Sequence, residues 1–293
     1  MHSDPASTLD LGDLDARLAD TQFAGGLHHL ATVGSTNLLA IEAAQQGART
    51  GVWIADEQTA GRGRGGHRWH SAVGDGLYLS VLMRPRLAGV DVLKLSLAAG
   101  LAARAAVVAT AGLPGYSIDL RWPNDLMLWG ADGRERKFGG ILTESAMDGG
   151  SGAVAYAVIG IGMNLNHREM PEELREVATS LRMESSEKVL RAPLVVSLLR
   201  ALEDEVQAVE REARGERGGG GVGAGKASFL ARRFAAASTW VEGLAVEVAE
   251  GDGYTGVTSG LDRHGLLQVR LEDGSVRTVR HGGVRRRGKN ADV

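Results

Sequence analysis

Two hydrophobic periods run through this chain, and each predicts an element. Leu11, Leu14 and Leu18 punctuate an otherwise polar segment, residues 1–27, which reads as a tail with one short helix. Thr36 to Gln46 carries Leu38, Leu39, Ile41 and Ala44 at helical spacing, with Gly47 placed to end it. Val52 to Ala55 and Gly76 to Met83 read as strands, the second stopped by Pro85. Leu93 to Thr110 is apolar nearly all round, the pattern of a helix buried at the centre of a fold. Ile118–Trp122, Phe138–Glu144 and Ala153–Ile161 predict three more strands, and Pro171–Ser180 and Pro193–Arg214 predict helices. The last of these places Val195, Leu198, Leu199, Leu202, Val206 and Val209 on one stripe. Beyond Trp240 the texture changes. Leu244–Ala249, Tyr254–Leu261, Gly265–Leu271 and Ser275–Arg280 are short strand patterns joined by glycine turns, as in a small antiparallel SH3-like barrel.

Composition narrows the possibilities. The chain has 293 residues, enough for one large domain or a medium one plus a small one. It contains no cysteine, which excludes disulfides, thiolate metal sites and a catalytic thiol, and suits a reducing, cytoplasmic setting. Thirty-three Lys/Arg against 36 Asp/Glu leave a net charge of −3, unlike a basic nucleic-acid coat. The longest apolar stretch, Val92 to Leu113, is interrupted by Lys94 and Arg104, so no membrane span is expected. The acidic start, with Asp4, Asp10, Asp13 and Asp15, is no signal peptide. Residues 1–27 are too few for a helix-turn-helix domain, so sequence-specific DNA binding is not expected. Gly215 to Ser228 is a glycine-rich break that reads as a flexible insertion. Gly220, Gly225 and Lys226 approach a phosphate-binding P-loop there. The position that must be Ser or Thr is Ala227, and the stretch follows a charged helix instead of a strand.

Five motifs carry candidate chemistry. Glu57 to Trp69 interleaves Gly61, Gly63, Gly65 and Gly66 with Arg62, Arg64 and Arg68. Glycine lets backbone N–H groups approach an anion, and guanidinium groups add charge and paired hydrogen bonds. One copy between two strands favours an ordered ligand loop over a disordered RNA-binding segment. Arg121-Trp-Pro-Asn-Asp125 ends a strand in a turn, and Lys137-Phe-Gly-Gly140 puts a lysine at the mouth of a strand that ends in Glu144. Gly160-Ile-Gly-Met-Asn164 allows a ligand to lie against a strand, and Ser35-Thr36-Asn37 offers a helix cap or three short polar groups.

In order and identity these five motifs resemble the biotin protein ligases. GLYLSV (76–81), ATSL (178–181) and the C-terminal barrel fit as well, so the resemblance spans about residues 28–287. It implies an α+β fold: a mixed β-sheet with helices, related to the class II aminoacyl-tRNA synthetase core, over 28–235, and an SH3-like domain over 240–288. It implies an ATP-dependent ligase that makes biotinyl-5′-AMP with Mg²⁺ and transfers biotin to a biotin carboxyl carrier protein of acetyl-CoA carboxylase or a related enzyme. Biotin contacts are implied for Ser35, Thr36, Asn37, Gln58, Gly61, Arg62, Gly63, Arg64, Lys137, Gly139, Gly140 and Gly160. Catalytic roles are implied for Lys137, Arg62, Arg64 and Asp125, and nucleotide contacts for His67, Trp69, Asn124 and Asn164; the residues that hold the metal are left open. Two departures stand out: Arg64-Gly65-Gly66-His67 where many members have Arg-Arg-Gly-Arg, and an insertion from Trp129 to Glu135. Two other readings remain open. One is a lipoate or octanoate ligase or transferase of the same superfamily. The other is a non-enzymatic RNA-binding protein that uses the Gly/Arg loop and the basic end, Arg277 to Lys289.

Overall fold

The computed structural model describes residues 9–216, 227–280 and 283–288. Seven strands form the main sheet: β1 (Leu27–Val33), β2 (Gly51–Gln58), β3 (Gly76–Met83), β4 (Ile118–Arg121), β5 (Asp125–Trp129), β6 (Glu135–Met147) and β7 (Val154–Asn164). Their order is β1-β2-β3-β7-β6-β5-β4. Only the β1–β2 pair is parallel; every other neighbouring pair in this sheet is antiparallel.

Why β3 is buried at every position, and apolar at nearly all of them, is clear from its neighbours. Helix α2 (Thr36–Gln45) covers one face of the sheet, packing Ala40 and Ala44 on Trp53, Leu82 and Val158. Helices α3 (Leu93–Thr110) and α5 (Arg191–Ala213) cover the other. All eight residues of β3 are buried. The helix Gly89–Thr110 is long and apolar enough to cross a membrane by length and composition alone, yet 67% of that window is buried inside the protein. The stripe expected on α5 faces the core over its whole length.

Helix α1 (Leu11–Arg17) is capped by Asp10, whose carboxylate accepts from the amides of Gly12 and Asp13. A five-residue helix, α4 (Leu181–Ser185), and α6 (Phe229–Ala236) complete the helices among the described residues. The second sheet is antiparallel: β8 (Glu242–Val248), β9 (Tyr254–Leu261), β10 (Leu267–Arg270), β11 (Val276–Thr278) and β12 (Val284–Arg286), in the order β11-β10-β9-β8-β12. It shares one buried cluster with the main sheet and is bonded to it. Trp122 Nε1 donates to the carbonyl of Gly265 at 2.8 Å, and Trp240 Nε1 to Glu135 at 2.9 Å.

Several elements differ from the sequence expectation. Strands β1 and β5 and helix α6 were not anticipated. Strand β1 is an edge strand with His28, His29 and Thr32 in it, so it has no apolar run to betray it. The stretch read as an insertion relative to the family, 129–135, forms the β5–β6 hairpin, with Trp129 opposite Glu135, a form compatible with that reading. Residues 171–180 are not a helix. They make one tight turn, Glu172–Leu174, and then extend alongside Lys137. That segment has few apolar residues to hold a helix against the core, whereas its extended end finds backbone partners on β6. The near-P-loop at 220–226 falls in the stretch 217–226, which lies outside the described residues.

Candidate functional site

The α2 face of the main sheet becomes a floor of glycines toward its end. Gly160 makes room for Asn37: a Cβ there would sit 2.1 Å from the Asn37 side-chain oxygen. At Gly162 a Cβ would sit 2.7 Å from the indole of Trp69, which lies on this floor. Any side chain at either position would push its neighbour out.

Above Gly160 is a closed polar network. Ser80, fully buried on β3, donates to Asn37 Oδ1 at 2.5 Å and lies 2.7 Å from the Thr36 hydroxyl. Asn37 Nδ2 donates to Glu144 at 2.8 Å and to the carbonyl of Leu142 at 3.3 Å. Gln58, at the end of β2, accepts the Thr36 N–H at 2.8 Å. That bond satisfies a free amide in the first turn of α2. Ser35 stands at the N-cap, but its side chain makes no capping bond and lines the cavity instead. Glu144 also pairs with Arg62 of the loop at 3.2 Å. Of these groups Ser35, Thr36, Asn37, Gln58 and Arg62 line an inner cavity of about 50 Å³, as do Gly63, Arg64, Asn124, Lys137 and Gly140.

Outside it lies a cleft of about 610 Å³ with a basic lining: Arg64, Arg68, Arg121, Lys137 and Arg285 face it, and Asp125 is the one carboxylate among the described residues that line it. Lys137 Nζ is 2.6 Å from Asp125 Oδ1 and 5.4 Å from the centroid of the Trp69 ring. Arg121 holds the other oxygen, its Nε at 2.9 Å. Burial opposes the charge on Asp125, but the Lys137 and Arg121 cations outweigh it and hold its carboxyl below the usual carboxylate range. Asn124 ties the β4–β5 turn to β6, donating from Nδ2 to the Ile141 carbonyl at 2.9 Å. The Trp122–Pro123 peptide in that turn is cis.

Three of the sequence candidates, Gly139, Gly61 and Asn164, line neither of these two cavities, and His67 lines only the outer one. Gly139 faces the opposite side of the sheet, toward Leu126 and Met163. Adjacent strand residues point to opposite faces, so Gly139 and Gly140 cannot both line one pocket with their side-chain positions. Gly61 sits at the base of the loop, where its carbonyl accepts the Trp69 N–H at 3.0 Å. His67 is exposed on the outer cleft. Asn164 is buried, its amide donating to the Thr179 carbonyl at 3.0 Å, and it lines neither cavity.

Ser80, Glu144 and Gly162 were not named as candidates. Ser80 had a signal: it is a hydroxyl inside the apolar run GLYLSVLM, where a strand buried on both faces has no use for one unless it is bonded. Arg191 was also missed. It is buried and reaches from α5 to Asp56 at 2.5 Å, two residues before Gln58.

Comparison with known proteins agrees with this geometry. Residues 33–164 match the biotin/lipoate A/B protein ligase family. That match takes in every sequence motif from Ser35 to Asn164. Among curated relatives, the bifunctional ligase/repressor BirA of Bacillus spizizenii is 37% identical over 174 residues, covering 58% of this chain and 50% of the relative. The biotin--[acetyl-CoA-carboxylase] ligase of Mycobacterium tuberculosis is 36% identical over 177 residues, covering 57% of this chain and 61% of that protein. The chain thus spans about half to three-fifths of the length of these relatives. The solved biotin protein ligase of Aquifex aeolicus, in complex with biotin and ATP, superposes with a TM-score of 0.71 at 25% identity, covering 90% of this chain and 100% of that one. The mixed sheet and the small antiparallel sheet are both part of that shared α+β fold.

Proposed function

We propose that this chain is an ATP-dependent biotin protein ligase. In this reading it activates biotin as biotinyl-5′-AMP and transfers it to a lysine of a biotin carboxyl carrier protein. The observation that carries the reading is the meeting of two environments at Lys137: an inner pocket with a wall of short, buried, uncharged hydrogen-bonding groups, Ser35, Thr36 and Asn37, with Arg62, Arg64 and Lys137 also lining it, and an outer cleft of cations. A ureido head needs both donors and acceptors, and Ser35, Thr36, Asn37 and Gln58 supply them, with Ser80 holding Thr36 and Asn37 from behind. The names of the mycobacterial relative and of the Aquifex complex support the same substrates and the same class of acceptor.

The charges suit the first step. A carboxylate must approach an α-phosphate, and their mutual repulsion opposes contact. Lys137 and Arg64 line both compartments and Arg62 the inner one, and their charges offset that repulsion. Without ligand, Lys137 is neutralised by Asp125, and an arriving anion shares that cation. Among the described residues no group of three or more His, Cys, Asp or Glu could hold a metal by itself; Asp125, the one carboxylate among them lining the cleft, would be the residue to help hold a magnesium ion, which would neutralise phosphate charge. The carboxylate attacks the α-phosphorus and pyrophosphate leaves. In the second step a neutral acceptor lysine attacks the acyl carbon and AMP leaves. Trp69 over Gly162 would cover the mixed anhydride and keep water from it. The inner cavity is too small for a ligand of biotin's size as it stands, so Trp69 and the Gly/Arg loop must lift for entry.

The test is pyrophosphate exchange into ATP, run with biotin and separately with lipoate. Biotin-dependent exchange that Lys137→Ala abolishes is the expected result. Exchange with lipoate alone would move the assignment to the other branch of the family.

A further inference from the structure

We propose that Thr179 is a positioning residue for Lys137, acting through the extended segment 177–180. This rests on the ligase reading in one respect, that Lys137 acts on the substrate anions. The rest comes from the geometry. Lys137 stands at the start of β6, next to the β5–β6 hairpin, where a strand tends to fray. Its backbone is nevertheless bonded on both sides by the same segment. The Lys137 N–H donates to the Val177 carbonyl at 2.9 Å, and the Thr179 N–H donates to the Lys137 carbonyl at 3.0 Å. This is an isolated parallel bridge, outside the ladder of the sheet.

The segment is itself fixed by buried side chains. Thr179 is fully buried, and its hydroxyl donates to Glu184 Oε1 at 2.6 Å. Glu184 lies on α4, which Ser180 caps by accepting the Met183 N–H at 3.1 Å. Asn164, at the end of β7, donates to the Thr179 carbonyl at 3.0 Å. The Thr179 hydroxyl therefore ties the strip that grips Lys137 to a capped helix. A buried hydroxyl makes such a tie because leaving either partner unpaired is costly. The ATSL stretch, 178–181, touches neither cavity, and this gives it a use.

The experiment compares Thr179→Val with Thr179→Ser in the full chain. Valine keeps the shape and removes the hydroxyl; serine keeps the hydroxyl. Thr179→Val is expected to lower kcat for biotin-dependent exchange about tenfold, with KM for biotin within about twofold, because misplacing a charged group affects the reacting geometry more than substrate capture. Thr179→Ser is expected to restore kcat. Hydrogen exchange at the Lys137 amide is the readout independent of activity. It is expected to quicken about tenfold in Thr179→Val, while amides in the middle of β3 stay protected. Unchanged kcat and unchanged Lys137 exchange in a folded Thr179→Val would overturn the proposal. If valine prevents folding, Glu184→Leu removes the same acceptor, together with its 3.7 Å pair with Arg136, and carries the same expectations. Should the wild-type chain show no biotin-dependent exchange at all, the ligase reading fails, while the amide readout still decides whether the segment holds Lys137.

Discussion

The inner pocket and the loop that roofs it are built in opposite ways. Thr36, Asn37 and Ser80 are all at least 95% buried, and each is bonded to groups on other elements. The loop 61–69 is mostly exposed, and its own bonds are few. Gly63 N–H reaches the His67 carbonyl at 2.7 Å, Arg68 touches the Thr59 carbonyl at 3.4 Å, and Arg62 leans on Glu144. Trp69 anchors it from above, with its indole N–H buried and without a hydrogen-bond partner among the described residues. A pocket so connected is preorganised and selects by shape and hydrogen bonding. A loop so sparsely held is inexpensive to move and contributes charge and cover. Specificity therefore sits in the floor and wall, and sequestration in the roof.

The largest expected effects come from the point where the two regions meet. Lys137→Ala should lower biotin-dependent exchange on the order of 100-fold or more, since removing one preorganised group that stabilises developing charge costs that much. Arg64→Ala should act in the same direction. Exchange within threefold of wild type in Lys137→Ala would separate the cavity from the chemistry. In the wall, Gly160→Ala forces a Cβ against Asn37 and should weaken biotin binding by on the order of 100-fold, through the loss of hydrogen bonds worth about 1–3 kcal/mol each. Titration calorimetry with biotin checks this, and the loop predicts no comparable effect for Gly66→Ala.

Ser80→Ala probes the same wall more gently. It unpairs Asn37 Oδ1 and should cost biotin affinity about tenfold, or about 1–2 kcal/mol. A value near zero would mean that Asn37 is held from Glu144 and Leu142 alone. Acid titration sharpens the view of the mouth. Against the opposing effect of burial, the Lys137 and Arg121 cations depress the folded-state pKa of the Asp125 carboxyl below the ordinary aspartate value of about 3.9. Its contribution to stability is therefore fully present above about that pH and is lost as pH falls through the lower, folded value. Melting temperature followed from pH 5 downward should fall less steeply below about pH 4 in Asp125→Asn than in wild type. Identical acid limbs would mean that the pair with Lys137 and Arg121 does not matter to the fold. The smallest effect is expected from deleting Gly218 to Gly225, which should leave exchange within about threefold, because closing a shorter loop changes the free energy little. Loss of ATP binding in that deletion would restore the P-loop as a candidate.

Much of this molecule was legible from residue patterns because burial writes itself into them. The ends of β3 and α3 fall where Gly76, Met83, Leu93 and Thr110 suggested, since both elements are covered on nearly every side. Edge and charged strands left no such mark: β1, with two histidines, and β12, Val-Arg-Arg, are each half-exposed or more. Most of the candidate site residues do converge on one cavity, but the direction each one faces was not legible. Gly139 and Gly140 are adjacent letters with equal claims, and the pleat of β6 turns only one of them toward the pocket.

Element type, the order of the motifs and the chemical inventory of the site were set locally, by periodicity and by the residues themselves. Which of those residues meet was decided only by the tertiary structure, because the meetings join distant positions. Ser80 finds Asn37 across 43 positions, and Arg191 finds Asp56 across 135. Residues 171–180 make the same point in reverse. Their local pattern favours a helix, but two backbone bonds to Lys137 and a buried hydroxyl on Glu184 reward the extended form, and those partners exist only once β6 and α4 are in place.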